Sequence, residues 1–230
     1  MKLVHHIKLA FGIATLCVAA FSLSPSCAFA DSAASKQPPF GMESLTTEHL
    51  QKLYLANSFA APSARSVFIE PPGVEFSSSW INEHGHTTSP TYQRVTKENY
   101  GKNLVKELKK SLKNNDWKTV SNKDKAAVVL KPRLFDLNIF SPEQSPTRQT
   151  IIFSFAGSAA LQLDFYNEAG ELFMRIVDKR DTPEFVGSPI TNRSNNLLYF
   201  KVLMNYWAVN SSAYLEHLMR GIEAEQAPSP

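Results

Sequence analysis

Three groups of residues in this sequence have the types and spacing to do chemistry. Glu83-His84-Gly85-His86 sets two imidazoles around a flexible glycine with a carboxylate beside them. That is a fragment of a Cu(II), Ni(II) or Zn(II) site, which would need further ligands from elsewhere, with His49 and His217 as the candidates. The ordinary alternative is a pair of solvated histidines in a polar loop. Asp136, Asp164 and Asp178 fall on strand-like segments, where paired acids can act as general acid and base. For Asp164 and Asp178, which flank the hairpin turn, the ordinary alternative is solvent-facing charges paired with Lys179 or Arg180. The third group is cationic: Lys102, Lys106, Lys109 and Lys113 lie on the polar side of a helical pattern. Residues 97–133 carry a net +7, and the chain after residue 30 is close to neutral, so the rest of it must be acidic.

Several reaction classes lack their local signatures. Both cysteines, Cys17 and Cys27, lie in the first thirty residues, so a chain cut after Ala30 has no thiol. The nearest approach to a nucleophile elbow, Ala156-Gly157-Ser158-Ala159, sits inside a strand pattern. No phosphate loop, dinucleotide fingerprint, zinc-protease helix or calcium loop is found. No catalytic residue and no cofactor are assigned, and a non-enzymatic protein is expected.

The lysine-rich segment points to an acidic partner: a lipid headgroup, a lipopolysaccharide phosphate or an acidic protein. Its ordinary alternative is the solvated side of an amphipathic helix, since lysines dominate where a planar phosphate clamp would favour arginine. Overall basicity is slight, and no nucleic-acid partner is expected.

The elements that must position these groups follow from periodicity. The 230 residues are 43% hydrophobic and 20% charged, which suits one globular domain. Leu50, Leu53 and Tyr54 after Thr47 predict a short helix over 47–56. Val67 to Ile69 and Val74 to Phe76 predict a strand bent at Pro71-Pro72, and 77–90 reads as a surface loop. Tyr100, Leu104, Leu108 and Leu112 form the apolar stripe of a helix over 96–113. Residues 117–120 and 126–140 read as strands, with a phase change that predicts a bulge near Pro132 to Phe135. From 149 to 166 the odd positions are apolar and the even ones largely polar. With the turn Asn167-Glu168-Ala169-Gly170, this predicts a hairpin over 149–180. Ser194 is expected to cap a second long helix, and the extra apolar residues around Val202 to Val209 predict burial on more than one side. The fold class expected is α+β: a mixed, mostly antiparallel sheet with a long hairpin and two long helices on one face.

The N-terminus speaks to location. Lys2 and Lys8 precede an apolar run from Leu9 to about Leu23, and Ala28-Phe29-Ala30 closes the segment, as in a secretory signal peptide. The run is shorter than a membrane span, and no transmembrane span is expected in the mature chain. A soluble product starting at Asp31 is favoured, with Cys27 as lipid acceptor the alternative. The expected organisation is a signal peptide over 1–30, a disordered linker over 31–45, one domain over 46–223 and a loose tail over 224–230. Such a protein would be exported to the periplasm, in one version peripheral to the outer membrane.

The strand and turn patterns together resemble a bacterial family of exported proteins and lipoproteins whose shared domain has no assigned function. The similar features are Val67-Phe68-Ile69-Glu70-Pro71 followed by Val74 and Phe76, the helix with Leu104, Leu108 and Leu112, Ala126 to Pro132, and Asp164 to Asp178 around Glu168-Ala169-Gly170-Glu171-Leu172. The resemblance runs from about Phe59 to Leu218. It implies an envelope location, often through a lipidated cysteine, and brings no catalytic residues. The Ser24-Pro25-Ser26 stretch before Cys27 departs from the lipidation pattern.

Overall fold

Alternation is strongest in the central hairpin, and the rest of the sheet assembles around it. The computed structural model describes residue 39 and residues 41–140, 155–184 and 193–226. The expected signal segment with Cys17 and Cys27, the expected linker before residue 41 except residue 39, the hairpin's first residues 149–154 and the last four residues of the expected tail lie outside the described residues, as does the Ser194 side chain. Two expected bounds are corrected, since Met42–Leu45 of the expected linker form a strand and residues 224–226 of the expected tail belong to the last helix, which begins at Arg193. In chain order the elements are β1 (Met42–Leu45), β2 (Lys52–Ala56), β3 (Ser66–Ile69), β4 (Gly73–Phe76), α1 (Ser78–His84), α2 (Pro90–Asn114), β5 (Lys118–Thr119), β6 (Val128–Ile139), β7 (Gly157–Tyr166), β8 (Leu172–Asp181) and α3 (Arg193–Gln226).

The strands form one eight-stranded sheet in the order β1-β2-β8-β7-β6-β3-β5, with β4 also on β6. Pairing is antiparallel from β1 through β6 and parallel where β3 and β4 meet β6 and where β3 meets β5. The α+β class expected from the sequence is the observed one, and the two long helices α2 and α3 pack together.

β3 and β4 behave as the bent strand the prolines predict. β3 lies along Val128 to Leu130 and β4 along Arg133 to Leu137 of the same neighbour. Pro71 and Pro72 cannot donate to the ladder, so the chain arches between the two halves. α2 crosses over from β4 to β5, which restores the parallel direction. Gly101 lets it pass close to the arch, because a Cβ there would lie 3.0 Å from Pro72 Cγ. The β6 bulge falls slightly later than expected, between Phe135 and Asn138, with Asp136 in a left-handed conformation (φ 54°). It brings Leu137 and Ile139 back onto the face that Leu130 and Leu134 bury.

Three sequence expectations are corrected. Residues 52–56 form β2, not a helix: Leu53 and Tyr54 are both buried, at 4% and 3% exposure, so both faces of the strand are covered and no period of two is visible. The segment 77–90 is not a loop throughout. Ser77 caps α1 by accepting from the Trp80 amide, and Trp80 stacks on Phe76 at 4.1 Å and donates its indole N–H to the Ile139 carbonyl. α2 starts at Pro90 rather than Thr96, because Ser89 caps it with Pro90 at its first position.

One core joins the helix layer to the sheet. Leu104, Leu108 and Leu112 of α2, Phe200, Met204 and Trp207 of α3, and Leu130, Leu134, Leu161 and Ile176 of the sheet belong to the same buried cluster. Leu108 is 2% exposed and Lys109 is exposed. Leu108→Ala is therefore expected to cost about 3 kcal/mol and Lys109→Ala almost nothing. Equal shifts in the two urea midpoints would show the face of α2 to be wrongly assigned.

Candidate functional site

The helical repeat fixes the cationic group. Lys102, Lys106, Lys109 and Lys113 follow one another at i, i+4, i+7 and i+11, which places them on one side of α2 over roughly 17 Å. Tyr100, Leu104, Leu108, Ser111 and Leu112 occupy the opposite side and are buried. All four lysines are exposed, and none is in an ion pair among the described residues. Lys110, beside the row, lies 4.0 Å from Glu107, and Glu98 is taken up by Arg94 at 2.7 Å. The expected partner-binding residues thus stand together as an uncompensated row facing away from the sheet. A row of flexible point charges can hold phosphate or carboxylate groups without strict geometry.

The carboxylates do not converge. Directly paired strand residues share a sheet face, so the register settles where each one lies. Asp178 stands opposite Leu161, which in turn stands opposite Leu134, on the face covered by the helices. It is 0% exposed and accepts hydrogen bonds from the Gln51 amide (2.8 Å), the Trp207 indole (2.7 Å) and Arg180 Nε (2.6 Å). Asp164 lies on the other face, in the row Ser44, Tyr54, Arg175, Asp164 and Lys131 across five strands. Its two oxygens take a fork from Arg175 at 2.5 and 2.6 Å, and this hydrogen bonding, first among the influences on it, holds the Arg175 guanidinium more firmly protonated. Asp136 is paired with Lys179 at 2.7 Å and stands five residues along β6 from the Asp164 row, about 15 Å away. The solvent-facing expectation is therefore corrected for Asp164 and Asp178: both are buried, and Asp164 pairs with Arg175 instead of Lys179 or Arg180.

His84 and His86 end up in a structural setting. His84 closes α1, tilts against the Trp80 ring at 5.4 Å and lies 3.8 Å from Glu83. His86 is exposed in the turn that follows. Among the described residues no three His, Cys, Asp or Glu side chains gather as a metal site. The main chain of His49 serves the fold, since its carbonyl accepts from Tyr206 and Arg180.

Two hollows differ in what they can hold. One of about 20 Å³ between the N-terminal turns of α2 and α3, lined by Thr96, Tyr100, Ile139 and Asn196, has room for a single water. The other is an open groove of about 430 Å³ at the end of the sheet, between the 123–126 turn and the hairpin tip. Lys123, Asp124, Lys131, Tyr166 and Glu168 line it. Lys131 rests over the Tyr166 ring at 4.5 Å, and burial, then the charge of Asp164, raises the phenol above its ordinary pKa, so Tyr166 is neutral near pH 7. Charges of both signs give the groove the chemistry for a small polar molecule and no preference between anion and cation.

Reading the sequence missed two further features. An ion-pair cluster joins Arg65, before β3, to Glu216 and Glu223 of α3, with Arg220 also on Glu216. Burial alone would raise the Glu216 carboxyl, but hydrogen bonds from Arg220 and Arg65 outweigh it and hold the group below the usual carboxylate range. No sequence signal links residues this far apart. The second feature is on α3, where Leu198, Val202 and Val209 are 56%, 49% and 47% exposed. Of the Val202 to Val209 stretch, expected to be buried on more than one side, Leu203, Met204, Trp207 and Ala208 are buried, and the two end valines face outward.

No family model matches this chain, and no curated protein matches it.

Proposed function

We propose that this protein is a non-enzymatic accessory protein of the bacterial cell envelope, exported to the periplasm and able to sit against the outer membrane. It binds an anionic, phosphate-bearing envelope component through the lysine face of α2. The observation that carries this reading is the uncompensated row Lys102, Lys106, Lys109 and Lys113 on the side of α2 opposite its buried residues. The export half rests on the N-terminal charge, apolar run and Ala28-Phe29-Ala30, and the resemblance to exported lipoproteins agrees with it. No helix among the described residues is long and apolar enough to cross a membrane.

Binding of this kind is governed by Coulomb attraction, and at physiological ionic strength the Debye length is about 8 Å. Cosedimentation with lipopolysaccharide should therefore be clear at low salt and fall steeply as salt rises. Lys102→Glu, Lys106→Glu and Lys113→Glu together should abolish it without moving the unfolding midpoint. No binding by the wild type at low salt, or binding indifferent to both salt and the three substitutions, overturns the reading.

A further inference from the structure

α3 carries an exposed apolar row with the same period as the lysine row on α2. Leu198, Val202 and Val209 stand at i, i+4 and i+11, with Asn205 at i+7, and Ala213 continues the row and is exposed. The buried side of α3, with Phe200, Met204, Trp207 and Ser211, lies opposite, and Trp207 reaches the sheet at Asp178. The apolar row therefore faces away from the sheet, as the lysine row does.

The helices that carry the two rows run side by side. Tyr100 packs on Phe200 with centroids 5.0 Å apart, and Ser111 and Ser212 hydroxyls meet at 2.6 Å. α2 and α3 thus run parallel, with residues near 100 beside residues near 200 and residues near 111 beside residues near 212. Packed helices lie about 8–10 Å apart, so the two rows lie on neighbouring helices of one layer, the lysines on the flank of α2 away from Tyr100 and Ser111 and the apolar row on the outer side of α3. Acids are scarce there: between residues 195 and 213 the only charged residue is Lys201, and Glu98 of α2 is neutralised by Arg94.

We propose that this helix layer docks on an anionic lipid bilayer, with Lys102, Lys106, Lys109 and Lys113 among the headgroup phosphates and Leu198, Val202 and Val209 inserted at the boundary with the acyl chains. The proposal rests on the anion-binding reading of the lysine face and names its partner. Charge complementarity selects the occupant, because a bilayer interface presents phosphates and hydrocarbon at adjoining depths, as these two rows do. A second copy of the chain fits less well. It would set the lysine rows against each other or leave them unused, and three half-exposed side chains fall far short of the roughly 800 Å² per partner of a stable interface.

The test uses the protein as the cell processes it, floated with phosphatidylglycerol/phosphatidylcholine vesicles and with phosphatidylcholine vesicles alone. Depth is read by brominated-lipid quenching. Trp80, Trp117 and Trp207 are all buried, so Val202→Trp adds an exposed reporter, and Ala169→Trp at the hairpin turn is the control. Binding should require phosphatidylglycerol. Lysine-to-Gln changes at 102, 106, 109 and 113 should weaken it by about five-fold each. Leu198→Ser, Val202→Ser and Val209→Ser together should weaken it on the order of 100-fold. Val202→Trp should be quenched and Ala169→Trp not. If the apolar changes leave vesicle binding intact and Val202→Trp is unquenched, insertion is overturned while the lysine reading stands. Binding to lipopolysaccharide but not to vesicles likewise overturns insertion and leaves the lysine reading in place. Binding to neither overturns both.

Discussion

Gly157→Ala is expected to destabilise the protein by about 4 kcal/mol or more, a size reserved for substitutions with a specific structural cause. Gly157 opens β7 opposite Ile139 with φ +145°, and a Cβ there would lie 1.9 Å from the Asn138 carbonyl oxygen and 3.0 Å from its carbon. Those atoms are backbone, so no rotamer change relieves the overlap. The strands must part just beyond the β6 bulge, where Phe140 donates to Ala156 and Thr182 donates to Gly157. Gly170 is the control: its φ is +79°, but nothing lies within 4 Å of an added Cβ, so Gly170→Ala should cost only the left-handed backbone strain, about 1 kcal/mol. Urea unfolding of the two variants separates crowding from strain. Equal midpoint shifts would remove the close approach of β6 and β7 as the reason for a glycine at 157.

The elements that were legible in the sequence share one property: a single buried face over a long run. β7 and β8 alternate around Asn167-Glu168-Ala169-Gly170, where Asn167 makes the turn by accepting from the Ala169 and Glu171 amides. The leucine stripe of α2 sits on one side of 25 residues, and its lysine row was legible for the same reason. β2 was not, because Leu53 and Tyr54 are buried on opposite faces of a five-residue strand and imitate helical spacing. α1 is seven residues long and held mainly by Trp80, too short for a period to emerge. On α3 the apolar surplus was visible, but hydrophobicity alone does not say whether a residue meets the core or faces outward. Asp178 had a usable signal: it shares parity with Leu172, Met174 and Ile176, so the pattern already turned it inward. Its charge argued for solvent, and the partners that make burial tolerable, Trp207 and the Gln51 amide, are remote in sequence.

Those partners make Asp178 the other site of large expected effect. Its carboxylate joins β8 to α3 through Trp207 and to the segment before β2 through the Gln51 amide, with no exposure to solvent. Asp178→Ala removes the acceptor but leaves both N–H groups where they were, and breaking a buried charged pair in this way costs about 3–5 kcal/mol. Asp178→Asn keeps the shape and one acceptor oxygen, so it should cost less. Trp207→Phe in combination separates the contributions. If the indole hydrogen bond is part of the loss, Trp207→Phe will destabilise the Asp178→Ala protein less than it destabilises the wild type, a coupling expected of residues in direct contact. Strict additivity in that cycle would mean that Trp207 contributes packing alone. A carboxylate held by three donors and closed to solvent is an anchor for the helix layer, and its loss should loosen the surface formed by α2 and α3. Vesicle binding by Asp178→Ala should accordingly weaken at temperatures where the variant begins to unfold and recover where it is folded.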